Sequence, residues 1–222
     1  GVENFMDVEG LAFDASGTLW AVDEQSLSLF PVNTVNATVD LNEVRPLLGI
    51  NATSGNDFGM TFTCDDSLFI SSVADGALYR LDNSGSATLV GALALPGDSH
   101  QIVLEGDLAY VADGDARLEI LDVSNPAAVI RLGGYDAAGK VQVVGNLAYV
   151  CDRNLHILDV SDPAAIKEVG SLETPGLAED VFVAGNLAYV ADHHKGLLIV
   201  DVANPAEPTV VGHFDASSKV YS

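Results

Sequence analysis

The chain has 222 residues, 48% of them hydrophobic and only 18% charged, which is too apolar for a disordered chain and enough for one sizeable core or two small ones. Its 32 acidic side chains against 9 basic ones leave a net charge of -23. Such a surface makes nucleic acid and anionic membranes poor partners, because both need Lys and Arg to displace counterions, and it suits cations, cationic partners and saline surroundings.

The chain opens at Gly1 with no basic-then-apolar leader, so a signal peptide is expected to be gone already, or the sequence to be a segment of a longer product. No apolar run comes near the ~18 residues that would span a bilayer. A first unit, about residues 8–48, carries Gly10-Leu11-Ala12-Phe13-Asp14, a turn, and Gly17-Thr18-Leu19-Trp20. Two sequons, Asn36-Ala37-Thr38 and Asn51-Ala52-Thr53, offer Asn36 and Asn51 as glycosylation acceptors. The second unit, about 56–95, places Ser67-Leu68-Phe69-Ile70 where the first has its Trp20 run, and Asn83-Ser84-Gly85-Ser86 reads as a turn.

The third unit, about 99–135, shows the plan most plainly. Four apolar runs, 101–105, 108–113, 118–123 and 128–135, are separated by Glu105-Gly106-Asp107, Asp113-Gly114-Asp115 and Ser124-Asn125-Pro126. The fourth (about 140–174) and fifth (about 179–214) repeat it: Gly106-Asp107-Leu108-Ala109-Tyr110-Val111 returns as Gly-Asn-Leu-Ala-Tyr-Val at 145–150 and at 185–190. A second signature follows each, Asp122-Val123-Ser124-Asn125-Pro126, Asp159-Val160-Ser161-Asp162-Pro163 and Asp201-Val202-Ala203-Asn204-Pro205. An aromatic slot recurs at Trp20, Phe69, Tyr110, Tyr149 and Tyr189, spaced by 49, 41, 39 and 40 residues. Five units of about forty residues, each with four short strand-like runs and no sustained 3.6-residue period, predict an all-β protein: a β-propeller of about five four-stranded blades forming a single domain over 1–222.

The pairing of Leu-x-Ile-Leu/Val-Asp-Val-Ser-Asn-Pro-Ala with Gly-Asn-Leu-Ala-Tyr-Val-Ala-Asp resembles the LVIVD repeat family over about residues 99–214. The resemblance implies the propeller fold and a bacterial or archaeal surface or secreted setting, and brings no catalytic motif to map. Residues 1–98 look more like the pattern shared by NHL and gluconolactonase-type propellers. Phe214-Asp215-Ala216-Ser217-Ser218-Lys219-Val220 matches Tyr135-Asp136-Ala137-Ala138-Gly139-Lys140-Val141, so Lys219, Val220, Tyr221 and Ser222 are expected to start a sixth inner strand. That stub would continue into further blades, help close a ring, or offer an assembly edge to a neighbouring subunit. Cys64 and Cys151 are too few to staple the fold, and the repeat puts them at opposite ends of non-adjacent blades, so no disulfide is expected.

In a propeller the loops entering an inner strand and leaving the second strand share one face. That gathers Glu9, Asn56, Asp57, Asp98, His100, Glu179 and Asp180 with Asp23, Asp113, Asp115, Asp152, Asp192, His193 and His194, with Lys140 and Arg153 as the main cations. Crowded carboxylates repel, and a hard cation would relieve them. Asp192, His193 and His194 with Glu179 and Asp180 would hold Zn²⁺ or another divalent ion; Glu9, Asp57 and Asp180 would hold Ca²⁺. Against the zinc set stands a solvated polar loop, the better supported reading, because neighbouring histidines point apart and no spaced His motif is present. The slots that would match a gluconolactonase-like metal site read Glu9, Asp57, His100 or Gln101, Lys140 and Asp180, and the Lys140 charge argues against a full cage. Gly-x-Ser-x-Gly is absent, and Asp122, Asp159 and Asp201 read as turn formers. The expectation is a secreted or cell-surface, non-catalytic binding and assembly scaffold whose partner is a surface protein, a polysaccharide or itself. The alternative is a metal-dependent lactonase or hydrolase at the channel mouth.

Overall fold

Each repeat folds into one antiparallel sheet of short strands taken in chain order, as the spacing of apolar runs and turns requires. The computed structural model describes residues 8–23, 26–36, 38–40, 42–50, 58–62, 67–72, 77–82, 88–96, 99–113, 117–125, 127–137 and 139–215, and among these there is no helix. The predicted sixth inner strand at 219–222, Asn51, Asp57 and Cys64 lie outside them.

The first sheet is β1 (Val8–Phe13), β2 (Leu19–Asp23), β3 (Ser28–Asn33) and β4 (Thr38–Val39), with a fifth short strand, β5 (Arg45–Pro46), also paired to β3. This departs from the four strands expected, because Leu47 donates its amide to the Leu27 carbonyl and brings the chain back to the same edge. The second is β6 (Phe58–Phe62), β7 (Leu68–Ser72), β8 (Ala77–Asp82) and β9 (Thr88–Ala94). The third is β10 (Ser99–Glu105), β11 (Leu108–Asp113), β12 (Arg117–Asp122) and β13 (Ile130–Tyr135). The fourth is β14 (Lys140–Val144), β15 (Leu147–Asp152), β16 (Asn154–Asp159) and β17 (Lys167–Leu172), and the fifth is β18 (Asp180–Ala184), β19 (Leu187–Ala191), β20 (Leu197–Asp201) and β21 (Thr209–Phe214). These are the blades of a β-propeller.

Local chemistry accounts for the hairpins. Gly106, Gly145 and Gly185 have φ near +60°, and each is followed by Asp or Asn at negative φ, the type II′ arrangement that suits a two-residue loop between twisted strands. At the same end of the blade, Asp122, Asp159 and Asp201 accept the amides of Ser124 (2.9 Å), Ser161 (3.0 Å) and Ala203 (2.9 Å). Each carboxylate thus ends its third strand where the sequence places it.

The chain folds into two compact units, Gly1–Val111 with Leu121–Arg131, and Ala112–Ile120 with Leu132–Ser222. In the first, one apolar cluster joins Trp20, Val22 and Leu29 to Met60, Leu68, Ile70 and Tyr79, and another joins Phe69 and Leu78 to Ile102, Val111 and Leu121. In the second, Tyr149, Leu155 and Ile157 pack with Val181, Val190, Leu198, Val200 and Val202. Aromatic residues of the recurring slot, Trp20, Phe69, Tyr110 and Tyr149, are buried, and Tyr189 is half-buried. Each fully buried Leu or Ile contributes about 2 kcal/mol by leaving water.

Within the second unit, neighbouring blades meet through main-chain joints. A Cβ on Gly133 of β13 would run into the Pro163 carbonyl of the next blade's turn, and a Cβ on Gly170 of β17 into the Pro205 carbonyl. Only glycine lets a carbonyl approach so closely. The Gln142 carboxamide pairs with the Val183 backbone across the inner strands, accepting its amide at 2.5 Å and donating to its carbonyl at 3.5 Å. Glu168 of β17 accepts from Tyr135 Oη of β13 (2.9 Å) and meets His156 Nδ1 (2.8 Å).

Candidate functional site

The densest group of predicted site residues lies where the fourth and fifth blades end, around Cys151, Asp152, Arg153, Glu179, Asp180, Asp192, His193 and His194. The antiparallel register sets Lys140 opposite Cys151 and Asp180 opposite Ala191. Backbone bonds knit the loops together: Ala178 donates to the Arg153 carbonyl (3.0 Å), Glu179 to Ala191 (2.9 Å) and Asp192 to Gly196 (2.8 Å). Thr174 Oγ1 adds a bond to the Arg153 carbonyl (3.0 Å).

Asp192 is fully buried, and its Oδ2 accepts the Gly176 amide at 2.8 Å. Its counterparts at the same place in other blades, Asp23 and Asp113, are also buried, and Asp23 Oδ2 accepts the Ser26 amide at 2.8 Å. Asp180 Oδ1 bonds the Val181 amide (2.7 Å). Three members of the predicted acidic face therefore accept from main-chain amides that shape the loops. Asp192 Oδ1 has no hydrogen-bond partner among the described residues.

His193 is nearly buried, holds φ at +47°, and lies with its ring centroid 4.0 Å from that of exposed His194. Arg153, at the corresponding place one blade earlier, has φ +59°. Left-handed backbone in two bulky residues at the same blade position costs energy that the surrounding loop bonds must offset. Cys151 is buried and carries no disulfide. Its burial pushes the thiol far up, and the carboxylates of Asp180, Asp192 and Glu179 push it further, so it is an inert thiol.

Of the proposed zinc set, the fold thus brings Glu179, Asp180, Asp192 and His193 to one end of the fifth blade, with His194 exposed. Among the described residues no three His, Cys, Asp or Glu side chains are placed to hold one metal ion. Glu9 of the proposed calcium set lies in β1 at a register shift between Val8 and Gly10, and Asp57 is outside the described residues. Asn36 is exposed on a turn, its Oδ1 accepting from Thr38 Oγ1 at 2.7 Å. An open cavity of about 680 Å³ lies beside it in the first blade, lined by Thr18, Asn33, Thr38, Asp40, Asn42 and Glu43 among others.

Sequence reasoning did not single out the ion pair of β12, where Nε of half-buried Arg117 lies 3.2 Å from Oε1 of fully buried Glu119. Glu at a position filled by His156 and Leu198 in the following repeats was the available signal.

Comparison with known proteins follows the same division of the chain. The LVIVD repeat model matches residues 96–137, 136–174 and 175–216, more than half of the chain. No curated protein sequence matches it. Among solved structures, a protein of unknown function from Desulfotomaculum acetoxidans is 13% identical, with a TM-score of 0.74 over 94% of this chain and 70% of its own. A protein from Lactobacillus plantarum is 12% identical, with a TM-score of 0.78 over 96% and 73%. The Cps50 (Swd1) β-propeller domain of Myceliophteria thermophila is 12% identical, with a TM-score of 0.69 over 95% and 72%. At such identities the likeness carries the fold alone.

Proposed function

Because the chain belongs to the LVIVD repeat family, we propose that it works as a non-catalytic binding and assembly scaffold, secreted or displayed at a cell surface. The observation that carries this reading is the apolar outer strand of the fifth blade, which the described residues leave largely exposed. Val210, Val211 and Phe214 of β21 are 47%, 58% and 68% exposed, a row of large apolar side chains that a solitary soluble protein usually covers. The loop carboxylates add support, because Asp23, Asp180 and Asp192 are spent on main-chain amides. A surface protein, a polysaccharide or a further copy of the chain is the partner class.

Light scattering and negative-stain imaging of the 222-residue chain test it. The expected result is concentration-dependent association that Phe214→Asp weakens at least tenfold. Monomers at every concentration, together with one tightly bound divalent ion and lactone turnover that Asp180→Ala abolishes, would replace the scaffold with a metal-dependent hydrolase.

A further inference from the structure

Four blades leave their third strand through the same pair of turns. Asn33, Asp122, Asp159 and Asp201 each accept, through Oδ1, the amide two residues on: Val35 (2.9 Å), Ser124 (2.9 Å), Ser161 (3.0 Å) and Ala203 (2.9 Å). Three residues later Asn36, Asn125, Asp162 and Asn204 do so again, from Thr38 (3.2 Å), Ala127 (3.2 Å), Ala164 (3.1 Å) and Ala206 (3.3 Å). In the last three blades this second Asx residue is followed by Pro-Ala, at 126–127, 163–164 and 205–206. The first blade reads Ala37-Thr38 instead. Both changes run in one direction. Proline directly after asparagine blocks N-glycosylation, and a hydroxyl residue one place further is required for it. Asn125 and Asn204 are therefore closed as acceptors, and Asn36 is open.

The geometry presents the reactive atom. Asn36 is exposed, and Thr38 donates both its amide (3.2 Å) and its Oγ1 hydroxyl (2.7 Å) to Oδ1. A backbone amide can only donate, so the bonded atom is the oxygen and Nδ2 is the free end of the carboxamide. This exposure does not depend on what precedes the first blade. Asp162 and Asn204 hold the same place and are exposed, although the carbonyls of Pro163 and Pro205 beside them press on Gly133 and Gly170 of the blade before. Thr38 also lines the open cavity of about 680 Å³, together with Thr18, Asp40, Asn42 and Glu43. The acceptor thus has room beside it, and polar side chains for the first sugars to bond.

We infer that Asn36 is a glycosylation site, and that it takes an oligosaccharide from a lipid-phosphate carrier outside the cytoplasm. In the transfer Nδ2 forms a bond to the anomeric carbon of the first sugar. The bond from that carbon to the carrier's phosphate oxygen breaks, the phosphate leaves with the electron pair, and Nδ2 gives up one proton. The inference rests on the secreted or surface-displayed setting proposed above, where such acceptors belong.

Glycopeptide mass spectrometry of the protein recovered from its own cells, with cytoplasm separated from envelope and medium, tests it. The expected result is protein outside the cytoplasm with a sugar-bearing peptide over Asn36. Asn36→Gln and Thr38→Ala should lose that sugar completely, and Thr38→Ser should keep it. Ala37→Pro should also lose it with Tm no lower, since it restores the Asx-Pro turn of the other blades, which separates loss of the acceptor from loss of the fold. Protein confined to the cytoplasm overturns the surface setting and the modification with it. Protein outside the cell with a bare Asn36, or with sugar at Asn51 alone, overturns the modification and leaves the setting standing. A sugar at Asn36 that survives Thr38→Ala overturns the role given to the Thr38 hydroxyl, and the inference with it.

Discussion

At the scale of single residues, the repeated Asp of each third strand works as a turn clamp. The hydrogen bond that Asp159 accepts from Ser161 holds its carboxyl below the usual 3.8, and Ser124 does the same for Asp122. A carboxyl whose folded pKa is depressed stabilises the fold above its unfolded value, and that contribution vanishes as pH falls through the folded one. Wild type is therefore expected to be more stable than Asp159→Asn at pH 7. The gap should close as pH drops from about 4 toward 2, and paired thermal melts across that range measure it. Asp14 follows the same logic: burial pushes it up, but bonds from Trp20 Nε1 and Ser16 prevail and leave it lowered. The role of Asp159 was readable beforehand because Asp, Ser and Pro stand next to one another in the chain. The burial of Asp192 was not, because its partner Gly176 lies sixteen residues away on another loop.

At the scale of elements, blade order and the four strands of the second to fifth sheets followed from the sequence. The run 118–123 became Arg117–Asp122, and 128–135 became Ile130–Tyr135, since alternating Val, Ile, Leu and turn residues leave little freedom of register. The joints between blades stayed hidden. Nothing near Gly170 in the sequence announces Pro205, and β5 pairs with β3 only because a long loop returns to that edge. The joint makes a sharp prediction. Gly170→Ala must push the Pro205 carbonyl aside and is expected to cost about 2 kcal/mol by overpacking, whereas Gly212→Ala, whose Cβ would meet only the Ile199 side chain among the described residues, should cost a small fraction of that. Urea unfolding of the two variants side by side gives the comparison. Glu168 reinforces the same boundary. The His156 hydrogen bond holds its carboxyl low, while burial and then the Glu168 bond push the Tyr135 hydroxyl up.

At the scale of the molecule, a net charge of -23 on 222 residues is a standing repulsion that the folded state concentrates and the unfolded state spreads out. Raising salt from about 0.01 M to 0.5 M is expected to stabilise the chain by about 1 kcal/mol, ~3 °C in Tm for a protein of this size. Calorimetry in a salt series checks it, and NaCl should serve as well as CaCl₂ at equal ionic strength if the carboxylates respond to screening rather than to one bound ion. The acidic surface was evident from composition alone. Composition does not tell which carboxylates face solvent, and three of the loop acids, Asp23, Asp113 and Asp192, are buried.

A joint made of a bare glycine and a main-chain carbonyl has a bearing on how such proteins can lengthen. Neither Gly133 with Pro163 nor Gly170 with Pro205 asks anything of a variable side chain. A copied module arrives with both halves of its fitting already shaped, so blade number can grow by duplication without a newly invented interface. Surface loops can then drift independently from one copy to the next. The identical stretches at 145–150 and 185–190, set among loops that share little, are the pattern that such growth leaves behind.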